Sequence, residues 1–99
     1  MAYHEKVLND PAGTKRKVLA ALGRGWIMEE HVKMRMFERL ISDDDIKNAI
    51  RLGRVLSEEI HEDPPRLRYR IEGPAKPGVT VVVSFTSKGR LNIITAWRR

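Results

Sequence analysis

Apolar positions along the chain change their period near residue 54, from helical spacing before it to strand-like alternation after it. Residues 1–13, with Asn9-Asp10-Pro11 and Gly13, read as a turn-rich, loose lead-in to a single domain spanning 14–99. Thr14 is positioned to cap a short helix through Leu22, with Val18, Leu19 and Leu22 as its apolar edge and Gly23 and Gly25 ending it. Ile27 to Ile41 reads as the main helix, opened by a packing pair of Trp26 and Met28. On its wheel Val32, Met34, Met36, Phe37, Leu40 and Ile41 share one broad arc, broken by Lys33, and His31, Arg35, Glu38 and Arg39 share the opposite one. Ser42 looks like the N-cap of a further helix, with Asp45 as capping-box acceptor, Ile46, Ala49 and Ile50 as the buried edge, and Gly53 ending it after Leu52.

Four strands are expected after that. Val55–Ile60 leads into a turn at His61-Glu62-Asp63-Pro64-Pro65. Leu67-Arg68-Tyr69-Arg70-Ile71 then alternates, burying one face and presenting Arg68 and Arg70 on the other. A loop from Gly73-Pro74 to Pro77-Gly78 precedes the β-branched run Val79–Phe85, a hairpin turn at Ser87-Lys88-Gly89, and a last strand Leu91–Trp97. Helices grouped before strands predict an α+β fold with the helices on one face of a four-stranded antiparallel β-meander.

Charge and composition narrow the function classes. The chain has 99 residues with 19 Lys and Arg against 13 acids, a net charge of +6. Such a domain attracts polyanions and tends to bind phosphate backbones; solubility alone is the plainer account of the same charge. Cysteine is absent, which removes disulfides, thiolate metal sites and cysteine nucleophiles and suits a reducing compartment, so a cytoplasmic location is expected. The longest apolar runs, Val79 to Val83 and Ile93 to Trp97, are strand-sized, and the N-terminus lacks the apolar stretch of a signal peptide.

The run from His31 to Ser42, with Arg35-Met36, Glu38-Arg39 and Ile41-Ser42, resembles the signature of a bacterial family of small domains, the domain-of-unknown-function 4258 family. The resemblance extends through Asp45-Ile46, Ala49-Ile50, Gly53, Tyr69 with Ile71 and Gly73, Val81–Val83 and Ile94-Thr95-Ala96-Trp97, roughly residues 27 to 97. Two positions depart from the pattern. Val32 stands for the usual alanine, and Leu40 for the usual glycine, so the junction after Arg39 cannot use left-handed geometry cheaply. That family is similar to the RelE and BrnT type of toxins, which implies a RelE/BrnT-like fold, metal-independent RNA cleavage, and neutralisation by a cognate antitoxin protein.

RNA cleavage by 2′-hydroxyl attack needs an acid/base group near neutral pKa and cations around the phosphate, without cofactor or metal. His31, Arg35, Arg39 and Tyr69 are the catalytic candidates. Glu38, Arg68, Arg70, Lys88, Thr95 and Arg98, with Arg99, are candidates for RNA contact. Each has a structural alternative. Glu38 with Arg35 or Arg39 makes a helix-surface ion pair, His31 ties its helix to the sheet, Tyr69 packs with its hydroxyl bonded, and Thr95 is a strand former. Asp43–Asp45 is explained by a capped helix start, and His61-Glu62-Asp63 has no second ligand cluster at metal spacing, so no metal is expected. The competing function is a non-catalytic basic module that binds nucleic acid or an acidic protein partner.

Overall fold

The computed structural model describes residues 3–7, 10–62 and 65–99. Three helices and six strands follow one another as β1 (Tyr3–Val7), α1 (Pro11–Gly23), β2 (Trp26–Met28), α2 (Glu30–Glu38), α3 (Asp43–Leu52), β3 (Arg54–Glu62), β4 (Pro65–Glu72), β5 (Val79–Phe85) and β6 (Leu91–Arg98). Strands β3 to β6 pair antiparallel with their sequence neighbours, as the alternation after residue 54 predicts. The sheet is larger than that four-stranded meander and it is mixed. Its order is β1-β3-β4-β5-β6-β2, with β1 antiparallel to β3 and β2 parallel to β6.

The front half differs from the expectation in three places. Residues 3–7 of the lead-in form β1. Helix α1 starts at Pro11, because the Asp10 carboxylate accepts the Gly13 N–H and proline occupies the first turn, where its missing N–H costs nothing. The long helix from Ile27 does not form. Trp26–Met28 is a strand against Leu91–Ile93, and α2 begins only at Glu30. Of the turn expected over 61–65, His61 and Glu62 belong to β3 and Pro65 to β4; Asp63 and Pro64 lie outside the described residues.

Helix α3 matches its signals. Ser42 and Asp45 form the reciprocal capping box, and Ile46, Ala49 and Ile50 are buried. At its far end Gly53 sits where a Cβ would collide with the carbonyl oxygens of Ala49 and Glu72. Lys15 of α1 donates to the Arg51 and Gly53 carbonyls there, satisfying acceptors that a helix end leaves open, and burial lowers its pKa.

One core joins these elements. Val18 and Ala21 of α1, Val32 and Met36 of α2 and the α3 edge meet Val55, Ile71, Val79, Val81, Val83, Leu91, Ile93 and Ala96 of the sheet. Only a narrow stripe of the predicted α2 arc is buried. Val32, Met36 and Ile41 are inside, whereas Met34, Phe37 and Leu40 are 60%, 82% and 79% exposed.

Because strand side chains alternate, residues between the core positions face the other way. The registers align Arg70 with Val82 and Thr95, and Glu72 with Thr80 and Trp97, on that far face. Arg68, two residues from Arg70, shares it.

Candidate functional site

The candidate site lies where the start of α2 meets the far face of the sheet. The end of β2 delivers the chain to Glu29, whose extended backbone begins α2, so Glu29 and His31, with Glu30 between them, stand beside β6. A cleft of about 120 Å³ is lined there by Glu29, His31, Val32, Arg68, Asn92, Ile93 and Ile94. His31 Nδ1 lies 3.4 Å from the Glu29 carboxylate, and its side chain is 63% exposed. Opposite, Arg68 Nε and Asn92 Oδ1 are buried without a hydrogen-bond partner. A buried donor and a buried acceptor left open beside a histidine–carboxylate pair form a polar cleft ready for a polar ligand.

Beyond the cleft the far face stays cationic. The Arg70 guanidinium lies over the Trp97 ring, 5.7 Å from its centroid, a cation–π contact that holds charge and aromatic surface together. Arg35, one turn after His31, is exposed, and its guanidinium has no hydrogen bond or ion pair among the described residues.

Other sequence candidates go elsewhere. Tyr69 points to the core side, away from Arg68 and Arg70. It packs against the core, its hydroxyl is 3.4 Å from Glu58 Oε1, and its ring meets Phe85 edge-on at 5.6 Å. Burial and then the neighbouring Glu58 charge raise its pKa. Arg39 is an anchor. Its Nη1 donates to the Ala96 carbonyl at 2.7 Å and to Thr95 Oγ1 at 3.3 Å, tying the end of α2 to β6 beyond the residues that β2 covers. Arg98 donates to the Leu40 carbonyl and to Asp45, and Arg99 to Thr80 Oγ1 and the Gly73 and Pro74 carbonyls. Glu38 borders a separate shallow groove with Glu30, Lys33, Met34 and Phe37, and Lys88 is exposed in the β5–β6 turn.

Sequence reasoning passed over Glu29, Asn92 and the Arg70–Trp97 stack. Asn92 interrupts the apolar run of β6, which is its one visible signal. Glu29 lay hidden inside a helix predicted three residues too early.

Among the described residues no three His, Asp or Glu side chains are grouped to hold a metal ion, and no helix is long and apolar enough to cross a membrane. No curated protein and no solved structure matches the chain. The model of the family described as a domain of unknown function (DUF4258) matches residues 28–98, which takes in α2, the cleft, the far face and Trp97, and the chain belongs to that family.

Proposed function

We propose that the protein is a toxin-like, metal-independent endoribonuclease that receives RNA on the far face of its sheet and cuts it beside His31. The observation that carries this reading is the cleft shared by His31 and Arg68, with Glu29 behind the imidazole. A base, a group that orients it and a phosphate cation are the parts that 2′-hydroxyl attack requires.

In this reading Glu29 engages Nδ1, leaving Nε2 to take the proton from a ribose 2′-hydroxyl. The 2′-oxygen attacks the adjacent phosphorus and the 5′-oxygen leaves, taking a proton from solvent. A 2′,3′-cyclic phosphate remains on one product. Arg68 meets the charge that builds on the phosphoryl oxygens, with Arg35 as a second cation at the mouth, and Arg70 with Trp97 holds the neighbouring strand. The likeness to RelE and BrnT toxins belongs to this proposal, as do a cytoplasmic setting and a cognate antitoxin that neutralises the protein by covering the far face. An RNA carrying a single 2′-deoxyribose at its cleaved position tests the chemistry: it should stay intact in chelator while the all-ribose RNA is cut. Cutting of both would contradict it.

A second reading has its own observation. Tyr69 faces the core and Arg39 is committed to β6, which leaves the His31–Glu29 pair without a second acid/base partner from the sequence's catalytic candidates. On that basis the basic face is a non-catalytic module for nucleic acid or an acidic protein. It predicts RNA binding that weakens steeply with salt and no cleavage under any condition.

A further inference from the structure

A second groove, of about 320 Å³, lies at the other end of β2, lined by Leu22, Gly23, Gly25, Trp26, Asp43, Lys47 and Arg90. Its volume is within the range of small-ligand sites. Three features suit it to one class of ligand. Trp26 is half-buried, so part of its indole stays open to the groove, and the Lys47 ammonium lies 5.7 Å from the ring centroid. Arg90 has no hydrogen bond or ion pair from its guanidinium among the described residues. It nevertheless lies close along Gly25. That residue has φ +96°, and a Cβ there would stand 3.3 Å from Arg90 Nη2. Glycine alone takes this backbone geometry cheaply and leaves the guanidinium its place.

The surroundings reinforce the charge. Arg24 reaches the carbonyl of Gly89 in the β5–β6 turn, and that turn also carries Lys88. Two cations, Lys47 and Arg90, therefore line one half-buried aromatic surface, with Arg24 between two of the lining glycines and Asp43 the single acid lining the groove. Structural packing explains the buried side of Trp26. It does not explain a guanidinium, without a partner among the described residues, seated on a left-handed glycine.

We propose that this groove is a nucleotide-binding subsite, in which a base stacks on Trp26 and its phosphate is held by Arg90 and Lys47. Asp43 supplies an acceptor for an exocyclic amino group of the base. The subsite stands apart from the His31 cleft and does not require cleavage.

Fluorescence tests it. In a Trp97→Phe protein Trp26 is the remaining indole, and its emission is followed as adenosine monophosphate or a six-nucleotide oligoadenylate is added. Saturable quenching is expected, with affinity falling about tenfold in Arg90→Ala. Quenching by the mononucleotide identifies a free nucleotide as sufficient, and quenching by the oligonucleotide alone identifies a segment of RNA. Trp26→Phe in the otherwise unchanged chain should bind more weakly by anisotropy of labelled oligoadenylate, which covers a Trp97 variant that fails to fold. His31→Ala should leave the quenching intact whatever it does to cleavage, so failure of the ribonuclease reading and failure of this one are told apart. Absence of quenching by either ligand, or equal affinity in Arg90→Ala, would overturn the proposal.

Discussion

Leu40 has a backbone that its side chain disfavours. It sits at φ +57° as the residue after the α2 cap, where the Ile41 N–H reaches the Met36 carbonyl and the Leu40 N–H the Phe37 carbonyl, a Schellman closure. The sequence raised a cost for leucine here, and the structure shows the geometry adopted all the same, because the closure and the Arg98 bond to the Leu40 carbonyl hold it. Left-handed geometry costs an L-residue about 1–2 kcal/mol, and glycine's extra unfolded freedom costs about 0.4–1 kcal/mol. With its side chain exposed, Leu40→Gly should therefore stabilise the protein by about 0.5–1 kcal/mol in urea denaturation. A loss of stability would mean that the exposed leucine packs more than its accessibility suggests. Asp45 is the other residue whose effect has a sign. The Ser42 backbone N–H is the main cause of its lowered pKa, opposed by burial and helped by Arg98. A depressed folded-state pKa gives stability that is full above the unfolded value of about 3.9 and fades as pH falls through the lower folded value. Asp45→Ala should cost about 1 kcal/mol at neutral pH, and its gap to wild type should close as acid is added below about pH 4. A gap that is constant down to pH 2 would remove the carboxylate from the account.

Among the elements, α3 was legible because every signal for it is local: Ser42, Asp45, the i, i+3, i+4 apolar edge and Gly53 lie within one segment. Strand β2 was illegible for the opposite reason. Three residues carry no period, and what makes them a strand is a parallel partner 65 positions away, Trp26 beside Leu91. The same error stretched the helix past Glu38 to enlist Leu40 as core, and the wheel also enlisted Met34 and Phe37, which lie within α2 but outside its narrow buried stripe. Helix α2 is short and has no side-chain cap at its start, so its position depends on Val32, Met36 and the Arg39 bonds to β6. Arg39→Ala should cost about 1.5 kcal/mol and speed hydrogen exchange of the α2 amides by about tenfold, with the β4–β5 ladder little changed. Unaltered exchange in α2 would show that Val32 and Met36 suffice.

On the scale of the whole molecule, the meander β3 to β6 followed from alternation, whereas the two added edge strands depend on pairings that no pattern in the chain ranks. The candidate site was partly readable in the same way. Placing Arg68 and Arg70 opposite the buried face needed only a period of two, and His31 was found as a histidine on a polar helix flank. Their meeting in one cleft was not readable, because it depends on where α2 docks on β6. Tyr69 was grouped with the catalytic candidates, although its alternation with Arg68 already put it on the other face of β4, where the structure has it. The central claim is that His31 and Arg68 act together on RNA without metal. The most direct test is cleavage of labelled total RNA in chelator by wild type, His31→Ala and Arg68→Ala, each checked for folding by circular dichroism. Cutting by wild type, lost in both variants with their folds intact, is the predicted result; cutting that survives both substitutions, or no cutting by wild type, would contradict it.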